Sequence, residues 1–382
     1  MQEPTLEQLR RIGGLKWSRY PDQIGAWVAE MDFGVAPEVA AALHAAVDDG
    51  LLGYLPPALD QRLREATAQW HADQYGWDVS PQRVRLLPDV IRGFEEAMET
   101  FSEPGTPIVL PTPAYMPFLT VPGLHDRELI ELPMVREAGG WRLDLDDLDA
   151  ALAGGGLLVM CNPHNPIGKV YTAEEMQAIS EVVQRRGARV FSDEIHAPLV
   201  YAGARHVPYA TVSEAAAAHT VTATSASKAW NLPGLKCAQL LFSNAADLAR
   251  FDDAGWWASH GTSTVGVIAN TAAYAEGKPW LDDVMAYVAG NRAALGTMLE
   301  ELLPEVGYRQ PEGTYLAWLD CRQLDLADPY AFFAEQAGVQ LTDGLQCGAA
   351  GAGHVRLNFA MPRALLEQAV EAMADALRRR SA

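Results

Sequence analysis

The sequence predicts an α/β fold, and three observations carry that reading. Short apolar runs alternate with stretches of helical pattern along the 382 residues. The runs are nearly continuous in apolar character, as strands are when helices cover both faces of their sheet. No repeat, low-complexity tract or charge block interrupts the alternation.

Taken in chain order, TPIVLPTP (106–113), GLLVMCNP (156–163), ARVFSDE (188–194) and HTVTATSA (219–226) read as strands, each ending in polar residues. Between the second and third, TAEEMQAISEVVQRRG reads as a crossover helix. Thr172 is placed as its N-cap, acids occupy its first turn, and Arg185, Arg186 and Gly187 close it. Near the end, HVRLNFAMPRALLEQAVEAMADALRRR reads as a strand followed by a helix that aligns Leu366, Val370, Met373 and Leu377 on one face. This last unit is expected to belong to a smaller C-terminal domain.

Bulk composition narrows the function classes. With 49% hydrophobic residues the chain can bury a large core, and its length suggests two or three domains. Its formal charge, 29 minus 49, is -20, so nucleic acid and anionic membrane are not expected as partners. The segment MQEPTLEQLRRIGG has no apolar signal core, and no later stretch reaches the roughly 18 apolar residues of a membrane span, so a cytoplasmic location is expected. Cys161, Cys237, Cys321 and Cys347 lie far apart without a CxxC pair, which suggests buried reduced thiols and neither a disulfide framework nor a metal site.

Ligands of open parallel sheets gather beyond the carboxyl ends of the strands, and Tyr115, Asn165, Asp193 and Lys228 each follow one. A carboxylate that ends an apolar strand calls for a cationic partner, and Asn165 sits in the sharp turn NPHNPIG. A cofactor that needs a lysine, a buried carboxylate and an amide is pyridoxal phosphate. Lysine condenses with its aldehyde and then moves protons at Cα. A carboxylate beside the ring nitrogen keeps that nitrogen protonated, a task that suits Asp193. Asn165 can hydrogen-bond the ring hydroxyl oxygen and Tyr115 can stack on the ring. For the phosphate, Ser225 and Lys236 flank Lys228, and a helix start near Val90 and Ile91 offers backbone amides.

The motifs WVAEMDF (27–33), GYLPP (53–57), TPAYMPF (112–118), NPHNPIG (162–168), SDEIHAPLVY (192–201), TSASKAWNLPGL (224–235), PEGTYLAWLDCR (311–322) and VRLNFAMPR (355–363) occur in this order. The chain resembles a fold-type I pyridoxal-phosphate enzyme of the aminotransferase class I and II superfamily. Within it, these motifs resemble the cystathionine β-lyase-like branch, the MalY/PatB group of carbon–sulfur lyases. The resemblance covers essentially the whole chain. It implies a large domain built on a mainly parallel seven-stranded sheet between helices, plus a smaller α+β C-terminal domain. The implied division is 1–45 for an N-terminal arm and part of the small domain, 46–275 for the large cofactor-binding domain and 276–382 for the small one.

Residue by residue, the resemblance makes Lys228 the lysine that bonds the cofactor, Asp193 its pyridine partner, Asn165 the ring-hydroxyl donor and Tyr115 the stacking ring. It implies a homodimer in which Tyr54 of the partner subunit reaches the phosphate. Arg356 matches the arginine that clamps the substrate carboxylate, a bidentate task that lysine does poorly. Trp27 and Val28, with Tyr54, Tyr115 and Asn165, are expected along the substrate.

Three positions depart from the wider family. Asp89 stands beside the expected phosphate site, where a helix cap explains it. His196 occupies the place of a tyrosine that helps hold the ring hydroxyl in many aminotransferases. Met116 replaces a second tyrosine and is read as packing. Trp256, Trp257 and Tyr315 lie in or near segments that the family folds around the substrate. No further basic residue is placed to meet a second carboxylate, so an apolar or thioether side chain is expected. The implied reaction is α,β-elimination on a sulfur amino acid, giving thiol, pyruvate and ammonia, with an aminotransferase as the alternative. A regulator on the same fold would need a basic DNA-binding module, which the sequence lacks.

Overall fold

A computed structural model describes residues 3–137, 139–254 and 256–381, with the side chains of 254, 256 and 381 outside the description. Its main sheet is built from β1 (Val84–Leu87), β2 (Ile108–Thr112), β3 (Leu129–Pro133), β4 (Leu157–Cys161), β5 (Arg189–Asp193), β6 (Thr220–Thr224) and β7 (Ala238–Phe242). The strand order is β1-β7-β6-β5-β4-β2-β3. All pairings from β6 across to β3 are parallel, and only β7 runs antiparallel to its neighbours. The four strands expected from the sequence are β2, β4, β5 and β6, each within a residue or two of its apolar run.

Alternation along these strands serves two cores. Val109, Leu158 and Val190 pack with Met176, Ile179 and Val183 of the helix Ala173–Arg186 on one face. Leu110, Val159 and Phe191 pack with Phe94 and Phe118 on the other. Both faces are apolar because both are covered. The crossover helix has the caps its sequence predicts: the Thr172 hydroxyl accepts from the Glu175 N–H in a capping box, and Gly187 closes the helix at φ +62°.

A second sheet has four antiparallel strands, β8 (Gly307–Tyr308), β9 (Leu316–Asp320), β10 (Thr342–Asp343) and β11 (His354–Asn358), in the order β8-β9-β11-β10. The helix Arg363–Ser381 seals it with Leu366, Val370 and Met373 fully buried and Leu377 partly so. Near the start of the chain, Ile24–Gly25 pairs in parallel with Val339–Gln340, so the N-terminal segment joins this C-terminal layer. The result is a layered α/β molecule whose segment 26–31 runs between the second sheet and the carboxyl ends of the first. Among the described residues no helix is long and apolar enough to cross a membrane.

Candidate active site

The carboxyl ends of β2, β4, β5 and β6 deliver Tyr115, Asn165, Asp193 and Lys228 to one cavity of about 360 Å³. Val90, Ile91, His196, Ser225 and Lys236 line it as well. The turn that carries Asn165 is shaped by Gly168 at φ +67°, where a Cβ would strike Pro311 and the Gly313 carbonyl, so only glycine fits.

Asp193 ends β5 almost fully buried. Its Oδ1 accepts from the Ile195 N–H at 3.1 Å, and the Cys161 thiol lies 3.6 Å from Oδ2 as a second donor. Burial pushes this carboxyl up to about 6, with those donors and the Lys228 charge pulling the other way. Such a group gains a great deal from a cation placed against it. Lys228 donates from Nζ to the Ala29 carbonyl at 3.1 Å. Burial, and then the positive charge of Arg356, lower its amine to about 8, which leaves about a tenth of it neutral at pH 7, far more than an ordinary lysine has.

Arg356, on β11, is 2% exposed and has no carboxylate partner among the described residues. Its Nη1 donates to Asn165 Oδ1 at 3.0 Å, and its Nη2 donates to the Trp27 carbonyl at 2.9 Å and to Thr342 Oγ1 at 3.1 Å. Its Nε is buried without a hydrogen-bond partner. His196 is likewise buried, with Nδ1 unpartnered. Burial, reinforced by the charges of Lys228 and Arg356, pulls its imidazole down to about 3 and keeps it neutral.

Around the expected phosphate position, Val90 and Ile91 begin the helix Val90–Thr100. Asp89 is the N-cap, accepting from the Arg92 N–H at 2.9 Å, and its other oxygen pairs with Lys236 Nζ at 2.9 Å. The cap explanation therefore holds, and the carboxylate also engages the lysine expected to meet phosphate. The Ser225 hydroxyl donates to the Cys237 carbonyl at 2.7 Å and accepts from the Ser227 N–H, so its proton is already engaged by the chain.

Tyr54, Trp257 and Tyr315 do not line the Lys228 cavities of their own chain. Tyr54 is 95% exposed and lines a separate surface cavity with Ser259 and Thr264. Trp257 is exposed and stacks on His260 at 4.7 Å, away from both site cavities, and the Trp256 side chain lies outside the described residues. Tyr315 is buried and donates from its hydroxyl to the Ala29 carbonyl at 3.0 Å, beside Lys228.

A second cavity, of about 240 Å³, shares Tyr115 and Lys228 with the first and is lined by Trp27, Val28, Met116 and Arg356. It corrects one expectation: Arg19 also lines it, a further basic residue that the sequence reading did not place there. Arg19 directly follows the short helix Leu15–Ser18 and reaches the site only because the N-terminal segment folds back along the second sheet. Its one local signal was the aromatic neighbour Tyr20. Thr342, which bridges Arg356 and the Trp27 carbonyl, was also missed, since no motif marks it.

A lysine and an aspartate set at parallel-strand ends, with a second antiparallel sheet closing over them, define the architecture of a fold-type I pyridoxal-phosphate-dependent enzyme. More narrowly, the chain belongs to the aminotransferase class I and II family, whose sequence pattern matches residues 22–373. A cystathionine beta-lyase of Corynebacterium glutamicum is 38% identical, over 99% of this chain and 100% of its own. A solved structure assigned as a PLP-dependent beta-cystathionase of Corynebacterium diphtheriae superposes with a TM-score of 0.93 at 38% identity, over 99% of both chains. Cystalysin from Treponema denticola, whose structure contains pyridoxal 5'-phosphate, superposes with a TM-score of 0.92 at 27% identity, over 99% of this chain and 100% of its own.

The donor set fits that cofactor. A partly neutral amine, a buried carboxyl held above its ordinary range and the Asp89-capped start of the helix Val90–Thr100 face one cavity. Two buried nitrogens, His196 Nδ1 in this cavity and Arg356 Nε beside the adjoining one, have no protein partner.

Proposed function

We propose that this protein is a pyridoxal-phosphate-dependent carbon–sulfur β-lyase, which eliminates thiol from a sulfur amino acid to give pyruvate and ammonia. The observation that carries the reading is Lys228: its amine, lowered to about 8, lies where the Asp193 cavity and the Arg356 cavity meet. The cofactor, when bound, supplies an electron sink that acidifies the Cα–H of an attached amino acid.

The chain's own residues do the rest. Asp193 would hold a proton on the ring nitrogen, and its burial would strengthen that pairing. Asn165 orients the ring hydroxyl and at the same time holds Arg356. The backbone amides of Val90 and Ile91, with Lys236, hold the phosphate. Tyr115 covers one ring face. Arg356 would fix the α-carboxylate, and Lys228 would take the proton from Cα. Neutral His196 offers a hydrogen bond without adding charge. Trp27, Val28 and Met116 shield the β-substituent from water.

The working unit is proposed to be a cytoplasmic homodimer in which Tyr54 of the partner subunit completes the phosphate site. Its exposure on its own chain supports that role. The purified holoenzyme is expected to release pyruvate and thiol in equal amounts from S-ethyl-L-cysteine, and Lys228→Ala to release neither. Pyruvate formed at the wild-type rate by Lys228→Ala would refute the assignment of the base.

A further inference from the structure

The cavity beside Arg356 holds more positive charge than one substrate carboxylate requires. Besides Lys228, which serves the cofactor, its lining includes both Arg19 and Arg356 and no aspartate or glutamate. Arg19 makes no ion pair among the described residues. Its guanidinium lies 5.7 Å from the Tyr20 ring centroid and 5.5 Å from that of Trp27, and these two rings meet edge to face at 5.7 Å.

That aromatic frame is tied to the substrate clamp. The Trp27 carbonyl accepts from Arg356 Nη2 and from the Thr342 hydroxyl, while its indole N–H donates to the Lys16 carbonyl at 3.3 Å. Lys16 is itself fixed by a buried pair with Asp32 at 2.8 Å, and the Trp17 indole donates to the other oxygen of the same carboxylate. One tryptophan therefore carries a cation on its ring and holds the clamping arginine by its backbone. Arg19 itself is exposed and rests against the Tyr20 and Trp27 rings.

We propose that Arg19 is a specificity-determining residue that receives the distal carboxylate of a two-headed sulfur amino acid, of which cystathionine and cystine are the chemical type. The inference rests on the lyase reading and narrows it to a substrate class. An S-alkylcysteine offers its one carboxylate to Arg356 and leaves Arg19 without an anion. A two-headed substrate reaches past the Cβ–S bond with a second carboxylate, to which a guanidinium presents parallel N–H donors. Gln346 lines the same cavity and adds an amide to it.

The test compares L-cystathionine with S-ethyl-L-cysteine on the wild-type, Arg19→Ala and Arg19→Lys holoenzymes. Arg19→Ala is expected to lose about tenfold or more in kcat/KM for cystathionine, mainly through KM, while S-ethylcysteine stays within about twofold. Arg19→Lys should recover part of the loss. Equal losses on both substrates would make Arg19 a structural residue, and no loss on either would leave it without a role; both results overturn the proposal. Equilibrium binding of the two amino acids in a Lys228→Ala background, with and without Arg19→Ala, gives a readout independent of turnover. If the wild-type protein releases no pyruvate from either compound, the lyase reading fails. A cystathionine preference in binding that disappears with Arg19→Ala would still uphold the role of Arg19.

Discussion

Arg356 Nη1 donates to Asn165 Oδ1 at 3.0 Å, so the side chain proposed to clamp the substrate is held by the side chain proposed to orient the cofactor ring. The two residues come from different sheets, Arg356 from β11 and Asn165 from the turn after β4. Cofactor placement and substrate binding are therefore mechanically linked across the cleft. Asn165→Ala should raise KM for the amino acid as well as loosen the cofactor. Loss of a hydrogen bond to a charged group costs about 1.5 to 3 kcal/mol, so a KM increase of roughly tenfold or more is expected at saturating cofactor. An unchanged KM under those conditions would separate the two functions.

Asp193 sets stability against chemistry. Burial raises its carboxyl to about 6 in the fold against 3.8 for the free group, so only well below pH 3.8 is it neutral in both states and without cost. As pH rises through this window the unfolded chain ionises first, and the folded cofactor-free protein loses up to about 3 kcal/mol by pH 7. Asp193→Asn should therefore melt higher than wild type at pH 7 without cofactor, the gap shrinking by pH 5, while activity collapses. A lower melting temperature at pH 7 would show that the carboxylate is stabilised by donors and not strained by burial.

The lowered Lys228 amine makes a kinetic prediction. Only the neutral amine attacks an aldehyde, so the rate of cofactor binding to cofactor-free protein should rise with pH and level off above about 8. Stopped-flow absorbance in the cofactor band measures it. A rate still climbing near pH 10 would mean that Lys228 keeps the basicity of a solvated lysine.

The strand-end residues were legible in the sequence because each stands out as a polar residue after an apolar run: Tyr115, Asn165, Asp193 and Lys228 could be read in that way before any contact was known. Arg356 needed the family motif, since an arginine on a strand has many ordinary uses. Arg19 could not be read, because its position depends on the parallel pairing of Ile24–Gly25 with Val339–Gln340, a contact between opposite ends of the chain. The Ser225 hydroxyl could not be aimed either. Its choice of the Cys237 carbonyl follows from how the turn around Lys228 closes on the segment before β7.

Tyr54 offers a test of the proposed dimer. Mixing Tyr54→Phe with Lys228→Ala under conditions of subunit exchange should restore activity to hybrid sites that carry both native residues. Light scattering that shows a fully active monomer would contradict it.

The central claim, a lyase with Lys228 as base, is tested most directly by following pyruvate from an S-substituted cysteine over many turnovers with no keto acid added. Elimination regenerates the enzyme in the form that binds the next substrate, whereas transamination stops once each site has reacted. Steady pyruvate release far beyond one equivalent per site is expected. A burst of one equivalent that resumes only when 2-oxoglutarate or pyruvate is supplied would identify an aminotransferase and contradict it.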